Sequence, residues 1–101
     1  MSAQSLAPLF VISGASQGIG AAIAVCFANA GFPLRLALVA RNKTALEQVA
    51  GNCGAAAEVR CYAVDVSDEQ QVNDFSLALQ RDMGDVAVLI NNAGSWHGAA
   101  V

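Results

Sequence analysis

Four short apolar runs, each parted from the next by a stretch of helical period, constrain the fold of this chain more than any other feature. They are residues 9–13 (LFVIS), 34–40 (LRLALVA), 58–64 (EVRCYAV) and 86–90 (VAVLI). The first and fourth are unbroken, and apolar runs of this length suit strands covered on both faces of a sheet. After the first run, Ile19, Ile23, Cys26, Phe27 and Ala30 recur at helical spacing and define one stripe. Gly31 suits the position just past a helix end, and Pro33 prevents continuation. Asn42 is a good N-cap for a second helix from Lys43, with Leu46, Val49 and Ala50 inward; residues 51–54 close it. Ser67 and Gln70 have the spacing of a capping box for a third helix. Its inner face would carry Val72, Phe75, Leu79 and Met83, and Gly84 would end it. Strand and helix alternate throughout, which implies parallel strands joined by right-handed crossovers: an α/β fold in a single domain.

Composition removes several function classes. Eight acidic side chains against five basic ones give a net charge of −3 and no basic patch, so nucleic acid is not an expected partner. With 55% hydrophobic and 13% charged residues the chain is globular rather than disordered. Residues 18–40 are apolar enough to raise a membrane span. However, Asn29, Gly31, Pro33 and Arg35 lie inside that stretch, and a charge at such depth is costly. No membrane partner is expected. Cys26, Cys53 and Cys61 are odd in number and form no C-x-x-C pair, which argues against a disulfide framework and a zinc site. A reducing, cytoplasmic compartment suits them. No basic segment precedes the first apolar run, so a secretory signal is not expected.

The chemistry is concentrated in residues 14–20, which read GASQGIG between the first strand and the first helix. Gly14 permits the sharp turn. Gly18 puts no side chain in the way of a pyrophosphate, and Gly20 lets the helix lie close to the sheet. The N–H groups at the helix start are then available to phosphates, aided by the helix dipole. With Ser13 in front, the segment resembles the T-G-x-x-x-G-x-G turn of the short-chain dehydrogenase/reductase family. Ser13 departs from the usual threonine but keeps its hydroxyl. Three further segments carry the same resemblance: Ala40-Arg41-Asn42, Asp65-Val66-Ser67-Asp68 and Asn91-Asn92-Ala93-Gly94. Each follows a predicted strand, at the end of the sheet where open α/β folds bind ligands.

The resemblance implies a Rossmann-type doubly wound parallel sheet of strand order 3-2-1-4 that binds a nicotinamide dinucleotide. Gly14, Ser16, Gln17, Gly18, Ile19 and Gly20 would meet the cofactor from the glycine turn. Arg41 and Asn42 follow the second strand. An acidic residue there receives the ribose 2′-OH of NAD, whereas an arginine accommodates the 2′-phosphate of NADP. No Asp or Glu occurs between Leu34 and Leu46. A guanidinium forks well onto a phosphate, so NADP(H) is expected over NAD(H). By the same resemblance Asp65 would accept from the adenine amino group, and the Val66 N–H would donate to the ring. Asn91 would meet the adenine-side ribose, with Ala93 and Gly94 small enough for close approach. The loop carrying Trp96 and His97 would border the nicotinamide and the substrate. Trp96 is either a pocket wall or packed on the sheet edge, and the lone His97 is more simply a solvated side chain.

Members of the family transfer a hydride between the nicotinamide and a carbonyl/alcohol pair. They use a tyrosine for the proton, a lysine four residues later and a serine that polarises the substrate oxygen. This chain has one tyrosine, Tyr62, and one lysine, Lys43, and they are not so arranged. Residues 1–101 therefore read as the cofactor half of an oxidoreductase whose catalytic half is absent. The complete enzyme is expected to act on a small carbonyl or alcohol and to be a homo-oligomer. The alternative is a non-enzymatic nucleotide-binding or regulatory module that pairs with a full-length relative. On its own the chain is expected to present the fourth strand as a bare apolar edge and to be marginally stable, whereas a module would have to cover that edge, for example by pairing there as a dimer.

Overall fold

Strand side chains alternate between the two faces of a sheet, so a strand can be apolar throughout only where both faces are covered. The computed structural model describes residues 7–92 and shows that arrangement. Its elements are β1 (Leu9–Ser13), α1 (Gly18–Ala28), β2 (Arg35–Ala40), α2 (Lys43–Ala50), β3 (Glu58–Ala63), α3 (Glu69–Met83) and β4 (Val88–Asn91). All strand pairs are parallel, in the order β3-β2-β1-β4. Ile12, Leu36 and Leu38 point to one face and pack with Ala24 and Ala28 of α1 and Leu46 and Val49 of α2. Leu9, Val11, Ala37 and Val39 point to the other and meet Leu79 and Met83 of α3. Leu9, Ile12, Leu34, Leu36, Leu38 and Leu46 are fully buried. Each contributes roughly 1.5–3 kcal/mol relative to exposure.

The inner stripe of α1 differs from the predicted one. Gly20, Ala24 and Ala28 are buried, whereas Ile19 and Cys26 are exposed and Ala30 lies beyond the helix. A helix drawn tightly against a sheet turns its smallest residues to the contact. The larger Ile23 and Phe27 flank that line half-buried, and Phe27 packs on Phe10 with ring centroids 5.0 Å apart. The helix also stops before Gly31. Asn29 caps it, and its Nδ2 donates back to the Val25 carbonyl at 2.8 Å.

The predicted capping box of α3 is displaced by one residue. Asp68, not Ser67, is the N-cap, and its Oδ1 accepts from the N–H groups of Gln70 and Gln71. Ser67 is engaged by Asp65 instead. Leu79 and Met83 are buried as expected, but Phe75 is half-buried and Val72 is exposed. The fourth strand begins two residues later than predicted and is not buried: Val88 is 38% and Leu89 64% exposed. It pairs with β1 alone among the described strands, so its outer edge is bare.

Among the described residues no helix is long and apolar enough to cross a membrane, and no group of His, Cys, Asp and Glu could hold a metal ion. The three thiols are free; burial pushes those of Cys53 and Cys61 up, away from the reactive thiolate.

Candidate functional site

The carboxyl ends of β1, β2 and β3 open onto a cavity of about 690 Å³. Gly14, Ser16, Gln17 and Gly18 form one wall, Arg41 and Asn42 a second, and Asp65, Val66 and Ser67 a third; Asn92 closes the side beneath β4. Four segments far apart in the chain are thus brought together by the parallel order of the strands.

The glycine turn has the geometry its sequence demands. Gly18 has a φ of +61°, a conformation that L side chains rarely adopt. Gly20 is required for a different reason. A Cβ there would stand 2.7 Å from Asn92 Nδ2 and would run into the carbonyl of Gly14. Helix α1 therefore starts directly on the turn. Its N-cap, Gln17, makes no side-chain cap, and no acidic residue occupies the first turn. By contrast, Asn42 Oδ1 accepts from the Ala45 N–H at 3.0 Å in α2, and Asp68 caps α3. Gly18, the first residue of α1, lines the cavity, and the start of the helix carries no side-chain cap, which suits an anion.

Ser13 ties this turn to the end of β4. Its hydroxyl donates to Asn91 Oδ1 at 2.9 Å and accepts from the Asn92 N–H at 3.0 Å. Asn92 Nδ2 donates to the Gly14 carbonyl at 3.4 Å. The Asn91 amide is thus directed to Ser13, and the neighbouring Asn92 is the one that lines the cavity. Ile19 is 72% exposed beside the turn and outside the lining; Gly20 is buried behind it. Ala93 and Gly94, like Trp96 and His97, lie outside the described residues.

Asp65 closes a tight loop at the end of β3. Its Oδ1 accepts from the Ser67 hydroxyl at 2.6 Å and from the Ser67 N–H at 3.0 Å. These bonds hold its carboxyl below the usual carboxylate range, and the Arg41 charge across the cavity acts in the same direction. The Asp65 N–H donates to Gln71 Oε1 at 2.8 Å, which fastens the loop to the first turn of α3. Arg41 stands exposed at the rim, with no carboxylate on its own strand end.

Ser67 and Asn92 were not expected in the lining. The Asp-x-Ser pattern is an Asx-type turn signal that could have indicated Ser67. For Asn92 no local signal exists, because only the register of β4 against β1 separates two adjacent asparagines.

A parallel sheet with a glycine turn at its first crossover and a cavity across its carboxyl ends is a Rossmann-type α/β fold. A family model described as short chain dehydrogenase matches residues 9–101, and the chain belongs to that family. It is 42% identical over 89 residues to the short chain dehydrogenase mpl6 of Monascus purpureus, a match covering 82% of this chain and 30% of that protein. An alcohol dehydrogenase from the archaeon Thermococcus sibiricus, complexed with 5-hydroxy-NADP, superposes with a TM-score of 0.73 at 39% identity, covering 81% of this chain and 35% of that one. NAD+-bound xylitol dehydrogenase superposes with a TM-score of 0.79 at 33% identity, covering 86% and 33% respectively. The chain thus spans about a third of the length of these relatives.

Proposed function

We propose that this chain is the cofactor-binding part of a short-chain dehydrogenase that moves a hydride between NADP(H) and a carbonyl/alcohol pair. The pyrophosphate would lie on the uncapped start of α1, received by the N–H groups of the first turn and approached closely at Gly18. Arg41, with Asn42 beside it, would take the 2′-phosphate. Asp65 and Val66 would meet the adenine. The cofactor supplies the hydride. The residues here bind and orient it, and the proton-transfer groups would belong to a longer chain.

The observation that carries the preference is the position of Arg41 on the cavity rim, with Asn42 and no acidic residue at the end of β2. A carboxylate there would repel a 2′-phosphate; a guanidinium attracts one. The related structures hold both kinds of cofactor, an NADP derivative in one and NAD+ in the other. The choice in this chain therefore rests on its own residues.

Calorimetric titration of the chain with NADPH and NADH, repeated on Arg41→Ala, tests the reading. A hydrogen bond to a charged group is worth about 1.5–3 kcal/mol. NADPH affinity is therefore expected to fall by roughly 10- to 150-fold in the variant, with NADH little changed. Equal losses for both cofactors would assign Arg41 no part in the selection.

A further inference from the structure

The apolar sequence of β2 is interrupted by one charge, Arg35, which the cavity does not use. It is the first residue of the strand, at the end of the sheet opposite the cavity, and only 8% exposed. Among the described residues its guanidinium has no carboxylate partner. Two main-chain carbonyls hold it instead. Nε donates to Ala7 O at 2.9 Å and Nη1 to Met83 O at 2.5 Å. A buried cation without a carboxylate is costly unless its donors find acceptors, and here two main-chain carbonyls supply them.

Met83 is the last residue of α3, and its carbonyl is among those a helix leaves unpaired at its C-terminus. The guanidinium also meets the negative end of the helix dipole. Arg35 is thus a C-terminal cap supplied from across the molecule. It fastens α3 to β2 and to the chain entering β1. Elsewhere α3 buries Leu79 and Met83 and is held to β3 by Tyr62, which packs on Phe75 and whose hydroxyl donates to Asp82 Oδ2 at 3.1 Å; Arg35 is the group that takes the carbonyl of its last residue. The other end of α3, roughly 22 Å away at a rise of about 1.5 Å per residue, carries Asp68 and Gln71, and Gln71 holds the Asp65 N–H on the cavity wall.

We infer that Arg35 is a positioning residue for the cavity: by anchoring the far end of α3 it sets the axial position of the helix and so of the Asp65–Val66–Ser67 loop. For cofactor affinity, this inference rests on the reading of the cavity as a dinucleotide site. Its test is Arg35→Met in the full chain, followed by amide hydrogen exchange and NADPH calorimetry. Exchange at positions 65–71 is expected to quicken about tenfold beyond the change at positions 14–20, because local opening is raised at one element. NADPH is expected to bind several-fold more weakly. Arg35→Lys, which can reach one carbonyl at a time, should lie between wild type and Arg35→Met. A lower melting temperature with unchanged relative exchange at 65–71 would make Arg35 a purely structural residue and overturn the inference. If Arg35→Met does not fold, native-state exchange of the wild type decides: positions 65–71 and 80–84 must open as one unit, and separate opening refutes the coupling. Failure of the wild type to bind NADPH would remove the dinucleotide reading, while the exchange result would still judge the anchor.

Discussion

At position 20 one methyl group opposes two effects. In an ordinary helix interior, Gly→Ala stabilises by about 1 kcal/mol. Here the added carbon meets the Gly14 carbonyl and the Asn92 amide, and overpacking of this kind costs about 1–3 kcal/mol. Because the obstacle is backbone rather than a flexible side chain, the clash should win. Gly20→Ala is expected to lower stability by up to about 2 kcal/mol net, read from urea melts; a stabilised variant would show that α1 can shift without loss. The role of Gly20 was legible because glycine spacing reports backbone approach directly. The different duties of Asn91 and Asn92 were not, since β1 and β4 meet only in the folded sheet and their register alone turns one amide to Ser13 and the other to the cavity.

Helix α3 shows what is decided between elements. Two adjacent residues, Ser67 and Asp68, are both good N-caps, and local preference does not separate them. Asp65 does so by engaging the Ser67 hydroxyl and N–H, which leaves Asp68 to cap the helix. Along the helix, Tyr62 of β3 donates to Asp82 Oδ2 at 3.1 Å and packs edge-on against Phe75. Partial burial, followed by the bond to Asp82, pushes the Tyr62 hydroxyl from 10.0 up to about 12. A pKa raised on folding gives stability that is complete below the unfolded value and is lost as pH rises through the folded one. Stability should therefore decline between about pH 10 and 12. Tyr62→Phe should lessen that decline, leaving the part due to the buried thiols of Cys53 and Cys61, while the neutral-pH melt stays nearly unchanged or slightly lower. Thermal melts across that range, on both proteins, provide the check; an identical alkaline loss in the variant would place its cause elsewhere.

On the scale of the molecule, the imbalance lies at β4. Helices α1 and α2 cover one face of the central strands and α3 the other, but Val86, Val88 and Leu89 stay exposed beside a strand edge that no described strand pairs. Such an edge is a template for association. Leu89→Lys is expected to reduce concentration-dependent light scattering while changing stability by no more than about 0.5 kcal/mol. Scattering that is unaffected by the substitution would move the sticky surface to another element.

The sequence by itself determined the number, order and type of the elements, the parallel course of the strands and the glycine turn. These follow from hydrophobic period and turn chemistry, which act over a few neighbouring residues. The family motifs likewise placed Arg41 and Asp65 at strand ends, where the cavity lies. Tertiary structure alone decided which residues of α1 face the sheet, which asparagine lines the cavity and why an arginine is buried in β2. Each of those outcomes depends on a group that arrives from a distant part of the chain: the Asn92 amide over Gly20, the Ser13 hydroxyl beside Asn91, the end of α3 above Arg35. Burial and hydrogen-bond partners across such separations are properties of the packed sheet, and no local pattern in the chain encodes them.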